Sequence, residues 1–224
     1  MNHPVVGALL PVLIFIALGF LSGKRGWISA AGVKDLSNLV FMVLAPALLF
    51  RTMGKVHLEQ LNFEPVAAYF LAAGLMFVGT LAWRGFNRLG AVLALANTFS
   101  NTVMIGIPLV GLAYGEAGLV TMFTLVSLHA LVLLTLATIV LELAVAREAA
   151  AQGKSTDRHM AATVLRAVRN GIIHPVPLPI IAGLLFAQTG LVVPQVVDNP
   201  LLLLGQALGP IALLLVGVTL AFTK

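Results

Sequence analysis

The chain has no cysteine, so neither a disulfide framework nor a thiolate metal site can be built from it. Charge is nearly as scarce. Asp, Glu, Lys and Arg make up 9% of its 224 residues, against about 25% in a soluble domain. The apolar runs contain no paired acids, no Ser/His pair and no metal-ligand cluster at useful spacing. No enzyme is therefore expected, and there is no catalytic residue, metal ligand or cofactor to assign. Alternation of polar and apolar residues over stretches of about 10, the mark of an outer-membrane barrel, is missing too. What is present is hydrophobic: 60% of the residues, with a mean hydropathy of +1.05. The apolar runs are long enough for helices that cross a bilayer, so the expected class is an all-α integral membrane protein.

Seven hydrophobic spans are expected: Val5–Ser22, Leu36–Met53, Pro65–Trp83, Leu89–Leu112, Leu119–Val145, Ile172–Gly190 and Leu201–Phe222. The first is not expected to be a cleaved signal. It has no Lys or Arg ahead of it, and Lys24-Arg25 follow. All connectors are short except Ala146–Asn170, which is polar and rich in Ala, Arg and Lys. Of the thirteen basic residues, eleven fall on one side: Lys24, Arg25, Lys34, Arg84, Arg88, Arg147, Lys154, Arg158, Arg166, Arg169 and Lys224. Arg51 and Lys55 fall on the other, accompanied by Glu59, Glu64, Glu116 and Asp198. The positive-inside rule then places the amino terminus outside and the 146–170 connector in the cytoplasm, in a plasma (bacterial inner) membrane. The pI near 10.1 thus reports orientation, and no nucleic-acid partner is expected.

The main anomaly is polar. Asn97-Thr98-Phe99-Ser100-Asn101-Thr102 interrupts the fourth span and leads into Gly106-Ile107-Pro108. In hydrocarbon an unsatisfied polar group costs on the order of 2–7 kcal/mol, so such a segment is tolerated only against protein or a watery cavity. Gly106 and Pro108 loosen the same helix by removing a side chain and a donor, as Pro46 does in span two. Interrupting a helix exposes amide donors at the start of its second half, which attract a carboxylate without needing a lysine. Amide and hydroxyl side chains add donors, so the set suits a small organic anion held weakly. The competing reading of each Asn or Thr is helix-to-helix glue worth about 0.6–2 kcal/mol.

Other features read as structure. His129 in span five could relay a proton, although a hydrogen-bonded packing histidine is the commoner arrangement. His174-Pro175-Val176-Pro177-Leu178-Pro179 forms a stiff entry to span six. Gly19 with Gly23, and Gly205 with Gly209, have the spacing of close helix packing. A weak echo links Pro11 to Pro179 and Pro46 to Pro210. Five spans separate each pair, so the second copy would be inverted, as in secondary transporters.

Asn101-Thr102-Val103-Met104-Ile105-Gly106-Ile107-Pro108-Leu109, with Tyr114-Gly115-Glu116 after it, resembles the fourth span of the auxin efflux carrier family. That family belongs with the bile-acid sodium symporter-like transporters and includes bacterial permeases, some linked to malonate. Pro46-Ala47-Leu48-Leu49-Phe50 resembles its second span, and the stretch from Pro210 to Ala221 its seventh. The resemblance implies a 5+5 inverted-repeat transporter fold with broken fourth and ninth helices. This chain would then supply a first repeat over 1–145, the connector 146–170, and two helices of a second repeat over 171–224. The counterpart of the broken helix would lie beyond Lys224.

The resemblance also implies that Asn101 contacts a substrate carboxylate, supported by Thr102, Ser100 and Asn97, with Gly106, Pro108 and Pro46 shaping the helices. Ser100 stands where the plant exporters carry proline, which predicts a milder break. The expected function is that of a secondary transporter, an efflux permease, moving a small organic anion such as malonate by alternating access. The bilayer and that anion are the expected partners; a homodimer and coupling to protons or sodium stay open. The rival readings are a non-transporting seven-span sensor or accessory subunit with 146–170 as its output element, or an inactive fragment.

Overall fold

The computed structural model describes residues 4–57, 59, 61–151, 165, 168–169, 173 and 175–223. The described residues are helical with no strand. Helix α1 covers Pro4–Lys24 and contains Pro11. Helix α2 (Ala30–Leu39) begins ahead of the expected Leu36, because Ser29 caps it: the Gly32 N–H donates to Ser29 Oγ at 3.1 Å. It runs through a widened turn, Val40–Leu44, into α3 (Ala45–Met53). Helices α4 (Glu64–Arg84) and α5 (Arg88–Thr98) are joined by a tight turn at Gly85, whose φ of 85° favours glycine. A second widened turn, Thr102–Gly106, opens α6 (Ile107–Ala151). Helix α7 covers Pro177–Gln188 and α8 covers Gln195–Phe222, with Pro200 and Pro210 inside it.

Five segments are long and apolar enough to cross a membrane: Gly7–Lys24, Ala30–Met53, Glu64–Arg84, Arg88–Glu148 and Gln195–Phe222. The expected fourth and fifth spans fall within the single 61-residue run Arg88–Glu148. At 1.5 Å per residue a continuous helix of that length would span roughly 90 Å, three times the hydrocarbon thickness. It is not continuous. Helical geometry fails at Phe99 and Asn101 and again at Gly115, whose φ of 64° and ψ of −154° end one helix and start another. The expected sixth span is represented by α7, 12 residues long and apolar. Pro177 opens that helix, as its place at a helix start predicts, while 170–172 and His174 lie outside the described residues. So does most of the 146–170 connector, although α6 continues into it as far as Ala151.

Two compact units are present. The first comprises Met1–Leu61, Asn101–Val126 and Leu178–Lys224. Here α1 and α8 pack backbone to backbone. A Cβ on Gly19 would meet the Leu214 carbonyl, and one on Gly217 would meet the Ile16 carbonyl. Gly23 lies beside Ala221 in the same seam, and Gly205 lets Leu48 of α3 approach to 3.1 Å from where its Cβ would be. Where lipid gives no hydrophobic drive between helices, such close contact supplies the dispersion attraction. The bidentate pair Arg51–Asp198 ties α3 to the first turn of α8, with Nε 2.8 Å from Oδ1 and an Nη2–Oδ2 hydrogen bond of 3.0 Å.

The second unit comprises Asn62–Ser100 and Ser127–Pro177. Its core is Phe77, Ala91, Ala94, Ala137 and Val140, flanked by Leu81, Leu95 and Leu141. The start of α5 is held from two directions. Asn87 Oδ1 accepts from the Gly90 N–H at 2.8 Å, and Glu148 accepts from the Arg88 N–H at 2.9 Å. A carboxylate there also complements the positive end of the helix. Leu71, Leu75 and Val78 of α4 are exposed on one stripe. In water that stripe would aggregate; against acyl chains it is the outer wall.

Candidate functional site

The interruption begins at Thr98, whose hydroxyl turns back to the Ala94 carbonyl at 2.9 Å. Phe99 is extended (φ −83°, ψ 100°), and Asn101 leaves the helical region (φ −78°, ψ 69°). The chain then re-enters a helix through a turn one residue wider than α. The Gly106 N–H reaches the Asn101 carbonyl at 3.2 Å, and the Ile107 N–H reaches the Thr102 carbonyl. Pro108 explains the width. It has no N–H to give, and its ring would press on the Met104 carbonyl in a regular α-turn. Pro46 sits at the same offset behind its own widened turn, in which the Ala45 N–H bonds to the Val40 carbonyl. There the chain keeps helical geometry through the turn.

The sequence-predicted residues therefore take different places. Asn101, exposed, caps the second half-helix: the Met104 N–H donates to its Oδ1 at 3.2 Å. Its NH2 group has no hydrogen-bond partner among the described residues. Thr102 is half-buried at the head of the widened turn. Ser100, exposed, shares a 3.2 Å hydrogen bond with the Tyr69 hydroxyl. Asn97 donates from its NH2 to Thr80 Oγ1 on α4 at 3.3 Å, the packing arrangement. Gly106 has ordinary backbone geometry; what it provides is room, because a Cβ there would run into the Met122 methyl. The division between units falls between Ser100 and Asn101, so Asn97 and Ser100 belong to one and Asn101 and Thr102 to the other.

Two features were not read from the residues. The first unit holds a cavity of about 390 Å³ against the head of α6, lined by Pro108 and Gly111 and by the polar side chains of Arg51, Thr52, Glu116 and Gln206. Arg51, near the end of the expected span Leu36–Met53, counted only toward sidedness; Gln206, one polar side chain inside the apolar Leu201–Phe222 stretch, was the available signal. The second unit holds a polar chain. His129 is buried (2% exposed), and its Nδ1 lies 2.8 Å from the Tyr69 hydroxyl, which in turn meets Ser100. The Phe99 ring lies 4.6 Å from the imidazole, centroid to centroid, and Nε2 has no partner among the described residues. Tyr69 was the missed half of this pair, a lone polar tip in an apolar helix.

No three His, Asp or Glu side chains among the described residues converge to hold a metal ion. An all-helical chain with several bilayer-length apolar segments and a helix broken at a polar turn defines a multi-pass membrane protein. Residues 4–224 match the membrane transport protein family, so the chain belongs to that family, the one that contains the auxin efflux carriers. Comparison with curated proteins gives no match.

Proposed function

We propose that this protein is a secondary transporter that moves a small organic anion, such as malonate or another carboxylate, by alternating access around the break between Thr98 and Thr102. The observation that carries the reading is Asn101. It fixes the second half-helix with its carbonyl oxygen and leaves an amide NH2 as a donor at a helix start. A carboxylate needs donors, and the Asn101 NH2, the Thr102 and Ser100 hydroxyls and the first N–H groups of the turn are donors within three residues of chain. Asn97, with one NH2 hydrogen engaged by Thr80, contributes packing.

The same reading has the chain cross the membrane seven times. The run Arg88–Glu148 is divided at Gly115, and α7 is the inner part of a sixth crossing. The pairs Pro11/Pro179 and Pro46/Pro210 are then related by an inverted repeat. Sidedness rests on the basic residues and puts the amino terminus outside the plasma membrane.

The test is uptake and exchange of labelled malonate and indole-3-acetate in proteoliposomes. Asn101→Asp keeps an oxygen for the Met104 N–H but replaces the donor by a negative oxygen. A hydrogen bond to a charged group is worth about 1.5–3 kcal/mol, so its loss lowers apparent affinity roughly tenfold or more. Asn101→Ala adds loss of the cap, about 1 kcal/mol of stability. Unchanged transport by Asn101→Asp would remove Asn101 from the binding site.

A further inference from the structure

We infer that transport is coupled to protons, and that the proton is carried on His129 and signalled to the anion through Tyr69 and Ser100. This rests on the transport reading above. The geometry is a directed chain: a buried imidazole, a half-buried phenol 2.8 Å from Nδ1, and an exposed hydroxyl 3.2 Å further on, at the residue before Asn101.

Hydrogen counting gives the chain two polarities. With Nδ1 unprotonated, Tyr69 donates to His129 and its oxygen accepts from the Ser100 hydroxyl. The Ser100 hydrogen is then committed inward. Once Nδ1 carries a proton it must donate to the Tyr69 oxygen. Tyr69 then donates to Ser100 Oγ, and the Ser100 hydrogen turns outward to a carboxylate. Starting from the Nε2–H tautomer, one proton taken up at His129 adds one donor at the break. Nothing is broken covalently; the proton enters from water on one side and leaves to water on the other with the anion.

Charge balance points the same way. Tyr69 is the titratable group facing the imidazole from α4, while Phe99 and Ser100 face it from the break and do not titrate near neutral pH. The sequence carries no charged residue over Pro65–Trp83, Leu89–Gly115 or Ala117–Leu141. An imidazolium there has no counter-charge among the described residues, and a buried charge without one is costly. A bound carboxylate supplies it, and by linkage the imidazolium favours the carboxylate equally. Each ligand then raises the affinity for the other, which is symport. Nε2 is buried and has no partner among the described residues, so the exposed end of the relay is the Ser100 hydroxyl.

The experiment uses the whole protein in proteoliposomes, with membrane potential clamped to zero and labelled malonate as probe. Two quantities are read: malonate–malonate exchange at equal pH, which needs no net proton movement, and accumulation driven by pH 7 outside against pH 8 inside. With one proton per anion, wild type accumulates malonate about tenfold per pH unit; His129→Gln, which lacks the imidazolium, exchanges malonate with weakened apparent affinity and does not accumulate it. Tyr69→Phe keeps the imidazole and removes the relay; it too loses accumulation, while exchange persists at lowered malonate affinity. Malonate entry into wild-type vesicles also acidifies a lumenal pH dye, a reading that needs no variant. Exchange without accumulation or dye response in wild type overturns the proton inference alone, as does full accumulation by both variants. Absence of exchange in wild type overturns the transport reading and this inference with it.

Discussion

Asn97 and Asn101 lie one helical turn apart in sequence and do different work. Asn97 is still on α5, and its amide joins α5 to Thr80 of α4. Asn101 is past the end of that helix and caps the next one. Replacing Asn97 by Ala should therefore weaken the α4–α5 pair by about 0.6 kcal/mol, at most ~1.7 kcal/mol, and leave malonate affinity unchanged. Thermal unfolding in detergent and exchange kinetics check the two halves separately; a changed affinity with unchanged stability would put Asn97 in the binding site instead. From residue types alone all four polar residues of the segment read alike, because Asn, Ser and Thr serve as glue or as ligands with equal ease. What separates them is which neighbour reaches them. Tyr69 approaches Ser100 and His129 from 31 and 60 residues away in sequence, a pairing no local pattern encodes.

The two widened turns show what a proline does when the rest of the helix is free to adapt. Behind Pro46 the chain stays helical from Ala30 to Met53, because Val40–Leu44 is apolar and its neighbours pack around it. Behind Pro108 the chain breaks, because the Asn101 side chain accepts from the Met104 N–H and so competes with the helix. The polar and proline signals were thus legible as a break over Asn97–Pro108. Which residues within it leave helical geometry was not: they are Phe99 and Asn101, while Gly106 and Pro108 lie in and just after the widened turn that follows.

Pro108→Ala restores an N–H that can donate to the Met104 carbonyl and draw the turn in by one residue. Tightening by one residue rotates Asn101 by about 100° relative to α6. The expected outcome is an exchange rate reduced roughly tenfold, equivalent to about 1.4 kcal/mol. Thermal stability should not fall, since proline within a helix costs stability. A wild-type exchange rate in this variant would make the widened turn a packing feature only.

At the scale of the whole molecule, the lack of cysteine turns the orientation proposal into a clean measurement. The bases assigned outside are partly neutralised where they stand: Arg51 forks onto Asp198, and Lys55 lies 3.6 Å from the same carboxylate. The bases assigned inside include two that stack on the tryptophans at their helix ends. Arg25 lies 5.6 Å from the Trp27 ring and Arg84 4.9 Å from the Trp83 ring. Tryptophan settles at the headgroup level, and arginine beside it stays with the polar surface. Helix class and apolar faces were legible because lipid demands them everywhere along a span. The crossing count was less so, because the 61-residue apolar run Arg88–Glu148 is marked at its turning point only by Gly115 and the adjacent Glu116.

Single-cysteine variants resolve both points against a background with no other thiol. Ser155→Cys, in the basic connector, is expected to react with a membrane-impermeant maleimide only after the cells are permeabilised. Gln195→Cys, at the start of α8, is expected to react in intact cells. The reverse pattern would invert the molecule. Labelling of both from outside would mean that an even number of crossings separates them, which would remove α7 as the inner part of a sixth crossing and with it the seven-span arrangement.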